Sequence, residues 1–239
     1  MTNWQKHVLP HGPLVEIGAG LWQVTGSLRR NPLPRNMVIW RTPQKKLLIH
    51  SAICLQEAAM HELDALGEVA YIIVPCVMHC ADVGPYKERY SSAKILCPRC
   101  ARSKVEEIVP VTHTLEEVLP GLGVVLHRPK GLKDFEIHLE LPLADGSRAL
   151  LVTDALFNLG SNPPKGFGGF MLKLLGSVGP LNITKIGKRM LLENKADYAD
   201  YVLGLSQIDN LRVLSVAHGS YIDENLEQAL RSASERIRA

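Results

Sequence analysis

The 239-residue sequence predicts an α+β domain with two mixed β-sheets packed between helices. Three observations predict it. Short apolar runs of strand length, such as Leu47-Leu48-Ile49 and Tyr71-Ile72-Ile73-Val74, recur in both halves. Apolar residues at helical spacing occupy Ser51 to Leu66 and Asn225 to Ile237. The order, strands first and then strand–helix alternation, runs through twice. No repeat, low-complexity tract or linker divides the chain, so residues 1–239 read as one domain.

Residues 14–17 and 21–25, separated by Gly18-Ala19-Gly20, predict a short hairpin. Ser27 to Arg35, rich in Pro, Arg and Asn, reads as a loop. Met37 to Arg41 and Lys46 to Ile49 flank a polar turn and predict a second hairpin. The helix expected over Ser51 to Leu66 stops at Gly67. Tyr71 to Val74 is a buried-strand pattern, Pro85 to Tyr90 a short helix, and Ala93 to Leu96 another strand. Val124 to His127, Asp134 to Leu141 and Arg148 to Thr153 follow as strands, the last two around an Asp145-Gly146 turn. Phe167 to Val178 and Asn194 to Leu205 read as helices, and Arg212 to Val216 as a strand. Asn225 to Ile237 is an amphipathic terminal helix.

Composition narrows the class. Apolar residues at 46% and charged ones at 21% are ordinary for a globular protein and exclude global disorder. A formal charge of +3 with scattered Lys and Arg does not imply nucleic acid. The start, MTNWQKHVLPHG, lacks the apolar core of a signal peptide. The most apolar window, Phe167 to Leu181, is broken by Lys173 and glycines and is too short to span a bilayer. It reads as a core helix, with a lid or a contact in a homo-oligomer as the alternatives. Five cysteines, four of them clustered, point to a reducing compartment with metal or redox use, hence a cytoplasmic protein without a membrane partner.

The candidate chemistry lies where strands end. Cys76, His79, Cys80 and Asp82 all follow the Tyr71–Val74 strand within seven residues. In open α/β sheets ligands gather at that end of a strand. Asp154 and His218 each follow another apolar strand in the same way. Cys97 and Cys100 follow the next strand after Cys76 and Cys80. If the two strands are parallel neighbours, four thiolates could form a tetrahedral zinc site or take an iron–sulfur cluster. Buried packing is the competing reading for these cysteines, and the expected one for Cys54. His127 and His138 read as structural, His138 on a solvent-facing or hydrogen-bonded face. No GxSxG elbow supports a serine nucleophile.

This order of motifs resembles the metallo-β-lactamase superfamily, a four-layer αββα sandwich. Gly20 to Val24 looks like its first strand and Leu47 to Ser51 like its next motif. Tyr71 to Gly84 is similar to the strand and loop that carry its HxHxDH metal motif. Leu150 to Phe157 is similar to the strand ending in its metal-bridging Asp, and Val213 to Gly219 to the last strand and its His. The departures are substantial. On HxHxDH this chain has Val77, His79, Ala81 and Asp82, so only the second His is kept. An early supporting Asp falls on His50, and the His of a Gly-His-Thr-Pro-Gly turn falls near Gly131 or Leu132. The pattern is closest to a divergent branch whose loop commonly carries a His pair, with Cys80 as the second member here.

The resemblance implies His79, Asp154 and His218 as ligands of one metal ion, with Asp82 or Cys80 as further candidates. Zinc is the expected metal and iron the alternative. Such a site implies a hydrolase of a small-molecule ester, lactone, thioester or phosphoester, with Asp154 and Asp82 as candidate catalytic carboxylates. The alternative is a non-catalytic binding protein on the same fold, with a cysteine-bound structural zinc or no metal.

Overall fold

The computed structural model describes residues 3–160, 169 and 178–239. They fall into two compact units, the first made of residues up to Arg29 and Arg35–Val124, the second of Arg30–Pro34 and Val125–Ala239. Among the described residues no helix is long and apolar enough to cross a membrane.

The first unit is built on a seven-stranded sheet in chain order: β1 (Val15–Gly18), β2 (Leu21–Leu28), β3 (Asn31–Arg41), β4 (Lys46–His50), β5 (Glu68–Ile73), β6 (Lys94–Cys97) and β7 (His113–Thr114). β1 pairs with β2, and β3 with β4, as antiparallel hairpins; β4 to β7 run parallel. The change to parallel pairing requires crossovers, and α1 (Glu57–Leu66) and α2 (Val83–Arg89) supply two of them. One sheet face, with Ile39, Leu47, Ile49, Ile72 and Ile95, packs with Met60 and Leu63 of α1 and with Val83 and Tyr86 of α2. Leu48, between two of those positions, is also fully buried, which explains the unbroken apolar run there. Two short helices, α3 (Arg102–Val105) and α4 (Leu115–Val118), complete the unit, α4 opening on a capping box between Thr114 and Glu117.

The second unit holds a four-stranded sheet in the order β11 (Leu211–Val216), β10 (Arg148–Val152), β9 (His138–Pro142), β8 (Val125–His127). β11 is parallel to β10, whereas β10, β9 and β8 are antiparallel neighbours. Among the described residues this unit has three α-helices, α5 (Lys185–Leu191), α6 (Lys195–Leu205) and α7 (Leu226–Arg238). Thr184 and Asn194 cap the first turns of α5 and α6 with their side-chain oxygens. Tyr198 and Val202 of α6 and Leu230, Ala233 and Ile237 of α7 join Leu150, Val152, Leu214 and Val216 in the core.

Both predicted hairpins form, as do the strands over 71–74, 93–96, 148–153 and 212–216, within a few residues of the expected bounds. Three stretches differ. Ser27 to Arg35 is strand at both ends rather than loop, because β2 runs to Leu28 and β3 begins at Asn31. The helix expected from Ser51 starts only at Glu57. The strand expected from Asp134 starts at His138. The helix expected over Phe167 to Val178 lies outside the described residues.

Candidate functional site

In the first unit the residues of interest cluster where β4 and β5 end. β5 closes before Pro75, which has no N–H to continue a ladder. The chain then makes one 3-10 turn, Val77–His79, closed by the His79 N–H donating to the Cys76 carbonyl at 3.0 Å. This turn brings the Cys76 sulfur and a ring nitrogen of His79 within 4.8 Å of one another. Ser51, the first residue after β4, adopts a left-handed backbone with φ 57°, and its Oγ lies 3.0 Å from His79 Nδ1. A hydroxyl on one ring nitrogen fixes the imidazole orientation, as outer partners of metal-bound histidines do.

Asp82, a candidate catalytic carboxylate in the sequence, is bound by Arg35 and by a backbone donor. Arg35 Nη2 donates to its Oδ2 at 2.5 Å and the Cys54 N–H donates to the same oxygen at 3.0 Å. Arg35 Nε also donates to the Ser27 carbonyl at 3.1 Å. Both side chains are buried, at 10% and 5% exposure. A carboxylate paired with a guanidinium and a backbone donor anchors β3 to the loop after β5.

The four-cysteine site is not assembled. β5 and β6 are indeed parallel neighbours, with Ile73 opposite Leu96, so both loops leave on one edge. Yet among the described residues no three of the thiols Cys76, Cys80, Cys97 and Cys100 lie within 4.8 Å of one another. Cys97 is the last residue of β6 and points with Cys80 into the apolar core, whereas Cys100 is exposed on a 3-10 turn. Burial pushes the Cys97 thiol up to about 12 and raises that of Cys80. Cys80 donates its S–H to the Cys76 carbonyl at 3.9 Å. Cys54 packs in the core as expected.

In the second unit the parallel register does the positioning. Val152 of β10 lies opposite Val216 of β11, and Asp154 and His218 each stand two residues beyond those ends. The two side chains meet, His218 Nε2 lying 3.2 Å from Asp154 Oδ1. Both are buried, and the Phe157 ring packs 4.6 Å from the imidazole. The other ring nitrogen decides the chemistry. Nδ1 lies 2.6 Å from the Pro34 carbonyl, which can only accept, so Nδ1 carries a proton. In neutral imidazole Nε2 then holds a lone pair, aimed at a carboxylate oxygen. That pair of acceptors is satisfied by one cation between them, a proton on Nε2 or a metal ion bound by both. The donor set therefore fits a metal.

Gly219 makes this approach possible. It has φ 115°, and a Cβ there would sit 2.0 Å from the Asn158 carbonyl oxygen. The Asn158 N–H donates to the His218 carbonyl at 3.1 Å, tying the loops after β10 and β11 together. Gly219→Ala is expected to destabilise the protein by about 2 kcal/mol or more, from left-handed strain plus the clash. Urea unfolding checks this; a change within about 0.5 kcal/mol contradicts it.

Of the other expectations, His138 is hydrogen-bonded and fully buried, and His127 is held by Glu140 at 2.8 Å. His50 ends β4 and is buried. Sequence reasoning missed Ser51, Arg35, Glu136 and the Pro34 carbonyl. A serine directly after a strand that precedes a metal-motif loop was the one available signal; the other three act over sequence separations that leave no local trace.

No family model and no curated protein sequence matches the chain. Solved structures do. The DIM-1 metallo-β-lactamase exposed to ceftazidime superposes with a TM-score of 0.63 at 15% identity, over 95% of this chain and 98% of that one. The FIM-1 metallo-β-lactamase from Pseudomonas aeruginosa in its mono-zinc form gives 0.61 at 12%, over 96% and 97%. A metallo-β-lactamase from Erythrobacter litoralis gives 0.60 at 12%, over 93% and 96%. At such identities the likeness establishes the fold: this chain has the metallo-β-lactamase fold.

Proposed function

We propose that this protein is a single-metal hydrolase of a small-molecule ester, lactone, thioester or phosphoester. His79, Asp154 and His218 are its ligands. The observation that carries the reading is the His218 Nε2 lone pair facing Asp154 Oδ1, with Nδ1 committed to a carbonyl. Further support comes from the fold and from the mono-zinc state of a structure that shares it. Zinc suits two imidazoles and a carboxylate with one position left open. When bound it would lower the pKa of its water toward about 7 and polarise a carbonyl or phosphoryl oxygen.

The protein's own groups prepare this. Ser51 and the Pro34 carbonyl hold the two imidazoles by their Nδ1 atoms, which leaves Nε2 of each as the ligand atom. Asp154, hydrogen-bonded to His218 when no metal intervenes, either ligates or orients the attacking water. A second reading, a non-catalytic binding protein on this fold with no metal, draws on one observation. Asp82, in the loop where the fold expects a ligand, is neutralised by Arg35.

A panel of carboxylic esters, lactones, thioesters and phosphoesters, tested before and after chelation, separates the two. Hydrolysis that is lost on chelation, returns on zinc addition and is absent in His218→Ala is the expected result. Turnover indifferent to chelation and to that substitution contradicts the hydrolase.

A further inference from the structure

Beneath the Asp154 loop lies a buried carboxylate that this chemistry does not use. Glu136, whose side chain is fully inaccessible, stands just before β9. Its Oε1 accepts the Thr153 N–H at 3.3 Å and faces His138 Nε2 at 2.9 Å. Its Oε2 accepts the Asp154 N–H at 2.7 Å and the Ala155 N–H at 3.0 Å. Four partners occupy the four lone-pair sites of one carboxylate. Behind it, Tyr201 Oη lies 2.9 Å from His138 Nδ1. The Tyr201 hydroxyl, the His138 ring and the Glu136 carboxyl thus form one chain of buried hydrogen-bonding groups that ends on the Asp154 loop. Burial and the Glu136 charge push the Tyr201 phenol well above its usual range, which keeps it a donor.

We infer that Glu136, backed by His138 and Tyr201, is a positioning residue for Asp154: it clamps three consecutive backbone N–H groups and so sets the direction in which that carboxylate is presented. The inference rests on Asp154 being a metal ligand. Physically, ordinary packing of β10 would leave those three donors to water or to a neighbouring carbonyl, either of which lets the loop rotate. A carboxyl group whose two oxygens accept all three holds a single rotation, and His138, itself without exposed surface, holds that carboxyl group. Position matters here because a ligand misaimed by about 1 Å no longer completes a coordination sphere.

The test is Glu136→Gln, which places an NH2 where one oxygen accepted, read in two ways. Amide exchange is followed on metal-free protein, and cobalt(II) or zinc affinity on the full chain by titration. Exchange at Thr153, Asp154 and Ala155 is expected to accelerate at least about tenfold while Leu150 and Leu151 of β10 stay protected. Metal affinity is expected to fall about 10–100-fold, as for other outer partners of metal ligands. Tyr201→Phe carries the same test if Glu136→Gln does not fold. Its loss is smaller, because Tyr201 lines a cleft of about 450 Å³ from which water can replace the hydroxyl. Unchanged exchange at the three amides overturns the inference. So does accelerated exchange with wild-type metal affinity, since the carboxylate would then be merely structural. Wild-type protein that binds no metal sinks the hydrolase reading instead, and the exchange arm alone then decides whether Glu136 holds the loop.

Discussion

Replacing Asp82 by Ala is expected to lower stability by about 3–5 kcal/mol, because it strands the Arg35 guanidinium in a buried position. The Cys54 N–H loses its acceptor in the same step. For a chain of this size about 1 kcal/mol moves the unfolding midpoint by roughly 2–4 °C, so the midpoint should fall by about 6–20 °C. Arg35→Ala should cost a similar amount, since it leaves the carboxylate unpaired instead. The two losses should not add, and the interaction term of a double-mutant cycle should be at least about 1 kcal/mol. Thermal and urea unfolding of the three variants checks this. A midpoint within about 2 °C of wild type, with a loss of metal binding in its place, would return Asp82 to the catalytic role that its motif position suggested.

The contacts of Asp82 show what a sequence can carry and what it cannot. The strands of the first unit were legible where both faces are buried, because Leu47-Leu48-Ile49 and Tyr71 to Val74 have no competing pattern. The start of β3 was not. Pro32 and Pro34 make it look like a loop, yet they occupy alternate positions, so both missing donors fall on one side of the strand. That half lies beyond the β4 ladder, which pairs only Val38 to Arg41. Residues 51–56 have helical composition but spend their backbone groups on distant partners. The Leu55 carbonyl accepts from the Trp4 indole, the Ile53 carbonyl from the Tyr86 hydroxyl, and the Cys54 N–H goes to Asp82. No local periodicity encodes those bonds.

The site divides in the same way. His79, Asp154 and His218 were singled out because each follows an apolar strand, and the parallel register of β10 and β11 places the last two side by side. What orients them was hidden. Glu136 sits in Phe135-Glu136-Ile137, where alternation argues for an exposed acid, and the buried partners that reverse this lie 2 to 19 residues away. The four cysteines show the opposite case, since their thiols are not gathered among the described residues. Strand order put both loops on one edge, but the pleat turned Cys97 into the core and left Cys100 in solvent.

The second large effect concerns the metal itself. His218→Ala removes the imidazole that lies 3.2 Å from Asp154 Oδ1, and with it one ligand of the proposed site. On the proposed hydrolase reading His79 and Asp154 are further ligands, and His79→Ala and Asp154→Ala are each expected to abolish tight binding. Cys97→Ser and Cys100→Ser lie outside the donor set and should leave it intact. The deciding measurement is metal content per chain after exhaustive chelation and reloading with zinc, in wild type, His218→Ala and Cys97→Ser. One ion per chain in wild type and Cys97→Ser, and none in His218→Ala, is the predicted result. No bound metal in wild type, or metal lost in Cys97→Ser and kept in His218→Ala, would contradict it.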